Sequence, residues 1–282
     1  MRWGWLVVLC ACNQILDLHE TSGPGGPDAA YACRTDRPLR FAATLQQLPS
    51  PDCAEYSEAA TADAAVATCQ GAAGVTEIWT GTRDGALMPL RGITTSFRYQ
   101  PNYTPRLASD ATRLYVRIDT VDINFMPIAT RYDEYRNGGT GWTLVGTLGL
   151  ANQLDDWLSN IARDPTDRDR VVLLRANTLQ EWSYDGATWT PDHMYAAGAI
   201  SPPTLRSVMF AANGLHILVI AVGADGVPQV LWGKRDSVSE PFGTLAEVPD
   251  LPVPDDNTVF MSNDCGRAYF SGLGATFYTH QL

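Results

Sequence analysis

Short apolar runs separated by polar turns fill the chain from about residue 40 onward, and one arrangement of them recurs. An apolar strand is followed by a turn centred on Asp or Asn and then by a second apolar strand. It stands as "SEAATADAAVATC" (57–69), "RLASDATRLYVRI" (106–118), "NIARDPTDRDRVVLLR" (160–175), "VMFAANGLHILVI" (208–220) and "FMSNDCGRAYFSG" (260–272). The turn residues are Asp63, Asp110, Asp167, Asn213 and Asp264, spaced roughly 50 residues apart, a period typical of propeller repeats. Asp and Asn suit these turns because their side chains bond nearby backbone and tolerate left-handed φ.

A third strand follows each hairpin, in "TEIWTGTR" (76–83), "FMPIATR" (125–131), "LQEWSYDG" (179–186), "QVLWGKR" (229–235) and "TFYTHQL" (276–282). Trp79, Trp182 and Trp232 hold equivalent places in three of them, a position expected to fill the core between units. A fourth strand comes next in "ALMPLRG" (86–92), "GWTLVGTL" (141–148), "ATWTP" (187–191) and "FGTLAEVP" (242–249). The fifth unit ends without one. Yet "FAATLQQLPS" (41–50) nearly repeats "FGTLAEVPDL" (242–251) and precedes the first unit. These patterns predict an all-β, five-bladed β-propeller in which Phe41 and its neighbours complete the last blade beside the C-terminal strand. Such closure removes a free sheet edge. The long interval between residues 118 and 160 leaves six blades as the alternative.

Composition agrees with this picture. The chain has 282 residues with 24 Gly and 18 Pro, and only 18% of residues are charged. That favours short strands joined by turns, in a body large enough to bury about three quarters of its unfolded surface. The net charge of −11 argues against nucleic acid as partner, since phosphate binding concentrates Lys and Arg.

The N-terminus predicts an address. "MRWGWLVVLCACNQ" has a basic residue, a short apolar stretch and then Leu9-Cys10-Ala11-Cys12. The apolar run is far shorter than the roughly 20 residues of a membrane span, as expected of a signal. It resembles the lipobox of bacterial lipoproteins, where a small residue precedes the modified cysteine, so Cys12 is the expected lipidation site. Several acyl chains anchor a protein stably. Asn13 is not the Asp that favours inner-membrane retention, so the expected location is the outer membrane, facing the periplasm or the cell surface. The organisation expected is a signal peptide over 1–11, a tether over 12–36 and the propeller over 37–282. "HETSGPGGPDAA" (19–30) has the composition of a flexible linker.

With Cys10 removed and Cys12 acylated, Cys33, Cys53, Cys69 and Cys265 remain. Four cysteines in an exported chain suggest two disulfides with three possible pairings. Cys53 and Cys69 lie symmetrically about "TADAA" (61–65), so a hairpin there brings them face to face and leaves Cys33 to pair with Cys265. No spacing typical of a zinc site occurs.

The hairpins with their Asp turns resemble the TolB-like (WD40-like) β-propeller repeat of exported bacterial proteins, best in "LWGKRDSVSEPFGTLAEVPDL" (231–251). The leader with "CNQILDLHET" resembles lipoproteins common in myxobacteria and their relatives. The resemblance implies protein partners; no cofactor is expected. Candidate chemistry is thin. No nucleophile elbow, Walker loop or dinucleotide fingerprint occurs. His216 sits in an apolar strand, as a packed residue would. Asp164, Asp167 and Asp169 share a loop, but the interleaved Arg168 and Arg170 oppose a calcium ion. Acidic residues precede the inner strand in three units: Asp52, Asp155 with Asp156, and Asp255 with Asp256. Five-bladed glycosidase propellers carry carboxylates near such positions, and a facing pair there defines the alternative, a carbohydrate-active propeller. The expectation is a lipid-anchored, non-catalytic module that binds a protein or another cell-envelope ligand.

Overall fold

A computed structural model describes residues 40–282 apart from 43, 49–52, 72–75, 84, 91–92, 94–102, 125, 140, 155, 196–203, 211–213, 249–250, 252–257, 263–265, 273–274 and 281–282. Five small antiparallel sheets, four of them ordered by sequence and the fifth completed by the first strand, make a five-bladed β-propeller. The closing strand β1 is Gln46–Gln47. The first blade holds β2 (Cys53–Glu58), β3 (Ala65–Gln70), β4 (Thr76–Gly81) and β5 (Met88–Pro89). The second holds β6 (Tyr103–Leu107), β7 (Arg113–Val121), β8 (Pro127–Asn137) and β9 (Trp142–Thr147). In the third, β10 (Trp157–Leu158) and β11 (Ala162–Arg163) share the inner position, followed by β12 (Asp169–Arg175), β13 (Thr178–Tyr184) and β14 (Trp189–Tyr195). The fourth holds β15 (Thr204–Phe210), β16 (His216–Val222), β17 (Pro228–Lys234) and β18 (Ala246–Glu247). The fifth holds β19 (Thr258–Met261), β20 (Arg267–Gly272) and β21 (Ala275–His280).

The ring closes as the repeated phrase predicts. Gln46 lies opposite Tyr278 and Gln47 opposite Phe277, so β1 is the outer strand of the fifth blade. Thr279 Oγ1 donates to the Ala42 carbonyl at 2.5 Å, and Phe41 is buried in the core shared by the fourth, fifth and first blades. The interval from 118 to 160 holds no sixth blade. Its residues extend β7 and form β8 and β9, and β7 and β8 are the longest strands described.

The sequence dictates these elements locally. Second strands such as "HILVIAV" are buried along almost their whole length because neighbouring blades cover both faces. β13 alternates strictly between buried and half-buried positions, the period of a strand with two unlike faces. At the second-blade turn, Asp110 Oδ1 accepts from Thr112 N at 2.9 Å and Thr112 Oγ1 at 2.8 Å, with Ala111 at φ +58°. In the third blade, Asp164 caps the turn through Thr166 N and Arg168 N, while Asp167 supplies the positive φ of +65°. Asp63 bonds across its blade to Arg83 N at 3.2 Å. Asn213 and Asp264 lie outside the described residues.

Cys53 and Cys69 stand opposite each other on β2 and β3 and form a disulfide. Cys12, Cys33 and Cys265 lie outside the described residues. Trp79 and Trp232 pack against the core around the first, fourth and fifth blades, and Trp182 against the core between the second and third.

Candidate functional site

Antiparallel order gives every blade two ends. Inner strands begin at one, called the upper end here; the turns between first and second strands lie at the other, the lower end. Of the channel-mouth aspartates, Asp52, Asp155, Asp255 and Asp256 lie outside the described residues. Asp156 opens the third blade at its upper end and is fully buried. Its carboxylate takes Arg175 Nε at 2.8 Å and Nη2 at 2.7 Å, and Gln153 N at 2.8 Å. A two-toothed guanidinium pair of this kind fixes both partners. The carboxylate therefore braces the loop into β10.

The seam between the second and third blades buries many polar groups, Arg106, Ser109, Arg113, Arg117 and Asp169 among them. At its lower end is a cavity of about 450 Å³, lined among others by Asp110, Arg113, Arg163, Asp167, Tyr184 and Asp185. The charges in and around it pair with one another. Buried Asp169 accepts from Ser109 Oγ at 2.5 Å, from Arg113, and from Arg163 Nη1 at 3.1 Å. Asp167 takes Arg163 at 2.8 Å, and Asp164 takes Arg170 Nε at 2.5 Å. Asp167 and Asp169 thus share Arg163, Asp169 also holds Arg113, and Asp164 holds Arg170. Arg113 also lies 4.2 Å from the Tyr184 ring centroid. Bonding to Thr112 and the nearby Arg113 hold Asp110 below the usual carboxylate range despite partial burial. Among the described residues, no group of three or more His, Cys, Asp or Glu is placed to hold a metal.

Higher in the same seam, two guanidinium groups lie over the Trp157 ring. The ring centroid is 5.6 Å from Arg106 Cζ and 4.7 Å from Arg117 Cζ. Arg106 is fully buried and donates through Nε to Leu158 O and through Nη1 to Pro105 O, each at 3.1 Å. Burial lowers its pKa below the ordinary guanidinium value, offset in part by Glu55. Leu158 N donates to Tyr132 Oη at 2.9 Å, and burial raises that phenol's pKa.

The next seam holds an ionic lock. Glu181 is fully buried and accepts from Arg235 Nη2 at 2.5 Å, Arg170 Nη1 at 3.0 Å and Tyr195 Oη at 3.2 Å. Burial pushes the Tyr195 pKa up to about 12, reinforced by Glu181. His216, in β16, is 2% exposed and stacks on Trp232 at 5.8 Å, with neither ring nitrogen hydrogen-bonded. Burial first and Lys234 second lower its pKa to about 4. These seam pairs were missed from sequence; Glu181 and Arg235 are 54 positions apart, and nothing local signals their meeting.

The surface is uneven. Among the described residues, the exposed large apolar side chains Ile123 (85%), Met126 (61%), Ile128, Leu154, Met194 and Val227 lie toward the upper end. Leu144, Val145 and Met88 sit on outer strands. The lower turns carry Asp and Arg instead.

No protein-family profile matches the sequence, and no curated protein is similar to it. Solved structures are similar in fold. TolB from Acinetobacter baumannii is 10% identical, with a TM-score of 0.49 over 84% of this chain and 54% of that one. An exo-β-1,3-galactanase from Phanerochaete chrysosporium, solved with β-1,3-galactotriose, is 8% identical at 0.48, over 86% and 64%. AofleA from Arthrobotrys oligospora is 12% identical at 0.42, over 87% and 90%. The chain thus spans about half the length of TolB and under two thirds of the galactanase. At these identities the likeness concerns the fold alone.

Proposed function

We propose that this protein is a non-catalytic binding module of the cell envelope, lipid-anchored through Cys12 at the outer membrane and serving protein partners with the upper end of its propeller. The observation that carries this reading is the crowding of exposed apolar side chains toward that end, Ile123 and Met126 foremost. Exposed large apolar side chains at one end of the ring fit an interaction site there. Chain direction supports it too. β1 runs from the lower end upward, so the backbone enters the ring at Phe41 from the lower end. Partners are expected at the opposite, upper end.

The locked state of Asp156 favours binding over hydrolysis, since a carboxylate held by both teeth of Arg175 is poorly placed to move protons. Two experiments test the proposal. Mass spectrometry of the protein from its native host should find Cys12 diacylglyceryl-modified; an unmodified thiol refutes the anchor. Photo-crosslinkers at Ile123 and Met126 should capture one defined partner that a crosslinker at Asp185 does not. Turnover of glycoside substrates by the purified protein would replace this reading with a carbohydrate-active one.

A further inference from the structure

We propose that the upper part of the seam between the second and third blades is a binding niche for a neutral, hydroxyl-rich ligand of the saccharide class, held by Arg106, Trp157 and Arg117. Two buried donors in it have no acceptor. Arg106 Nη2 and Trp157 Nε1 are both shielded from solvent and hydrogen-bonded to nothing. Buried polar groups in native proteins find partners almost without exception, ordered water included, so two orphaned donors on neighbouring side chains mark a place where an outside oxygen belongs. They belong to neighbouring groups, Arg106 Cζ lying 5.6 Å from the centroid of the Trp157 ring.

The charges narrow the ligand. Arg117 Nε donates to Asp119 at 3.0 Å, and Asp119 also accepts from Thr130 Oγ1 at 2.7 Å. Arg106 faces the Glu55 carboxylate at 3.8 Å, too long for a hydrogen bond but close enough to balance charge. Two cations and two carboxylates cancel, so the niche carries no net charge for a charged ligand to neutralise. A carboxylate or phosphate ligand would leave it with unbalanced negative charge, whereas vicinal hydroxyls supply acceptors at no electrostatic cost. The niche borders solvent at Glu55 and Trp157. Arg106 is wholly covered, but the Glu55 side chain is 20% exposed and Trp157 is half-buried.

This site is independent of the protein-docking reading. It is tested with free sugars on the purified chain, so either can fail alone. The experiment titrates glucose, galactose, mannose and N-acetylglucosamine into the full chain, followed by calorimetry and ligand-observed NMR, with glucuronate, acetate and phosphate as charged comparators. The expected result is saturable binding of at least one neutral sugar at about 1 mM or tighter, weakened about tenfold by Trp157→Phe, which keeps an aromatic face but removes the indole N–H with the pyrrole half of the ring. Arg106→Met should abolish it, with circular dichroism reporting whether that variant folds; Trp157→Phe decides the matter if it does not. Tighter binding of the charged comparators overturns the proposal, as does sugar binding that Trp157→Phe leaves unchanged. A crystal soaked in sugar that shows only ordered water on Arg106 Nη2 and Trp157 Nε1 overturns it equally.

Discussion

Thr279 donates its hydroxyl hydrogen bond to the carbonyl of Ala42, 237 positions earlier in the chain. Around that contact the two-residue strand β1 lies along β21 and drops Phe41 into a core built by three blades. Replacing Phe41 by Ala should cost about 3 kcal/mol, the range for truncating a buried aromatic side chain. Urea denaturation of Phe41→Ala against the parent checks it; a loss under about 1 kcal/mol would mean that the closing strand is peripheral to stability.

The lock between the third and fourth blades allows a sharper test. Glu181→Gln removes the charge that Arg170 and Arg235 share in a fully buried site. Breaking a buried pair from one side typically costs about 3–5 kcal/mol, while replacing all partners with apolar side chains costs much less. Glu181→Leu combined with Arg235→Met, with Arg170 left on Asp164 and Asp192, should therefore be more stable than Glu181→Gln alone, read from denaturant midpoints.

His216 gives the protein a pH dependence of definite sign. Its pKa is lowered from 6.5 to about 4 by burial, with Lys234 adding to the effect. Above pH 6.5 both folded and unfolded chains hold it neutral, and nothing is gained or lost. Between pH 6.5 and 4 the unfolded chain takes up the proton and the folded one does not, so stability falls as pH falls, by about 3 kcal/mol in total. His216→Phe should remove that slope while other groups keep theirs, which denaturation at pH 7 and pH 4.5 will show.

The disulfide between Cys53 and Cys69 closes a loop of 16 positions, for which chain entropy predicts about 3 kcal/mol. The double replacement of both by Ser should lower the melting temperature by several degrees. Reductant added to that variant should then cause no further loss at this blade.

Much of the architecture is written locally. Asp110 and Asp164 hold their turns by bonding backbone within four residues, so the hairpins stand out in sequence wherever such turns survive. Closure was legible because Phe41 and Phe242 introduce outer strands of the same make, β1 and β18, each two residues long. The long hairpin of β7 and β8 was not legible. "RYDEYRN" is charged, and register shifts after Thr120 and Glu134 break its alternation. Ion pairs between Arg131 and Asp133, and between Arg136 and Glu134, let a charged segment lie as strand. The seam chemistry was hidden for another reason. Arg106 in "PRLAS" looks like any surface arginine, and only the meeting of two blades buries it beside Trp157.

The pairing of β1 with β21 also sets an order of events. A chain made or exported from its N-terminus presents Gln46 and Gln47 first, yet their partners at Tyr278 and Phe277 emerge last. Four blades can assemble in sequence while β1 waits, because each is a local meander whose contacts span few residues. The final step joins segments at maximal separation, where loop-closure entropy is greatest. A chain halted before residue 275 would carry every other blade and still present two raw edges, a form that chaperones and proteases can tell from the finished ring.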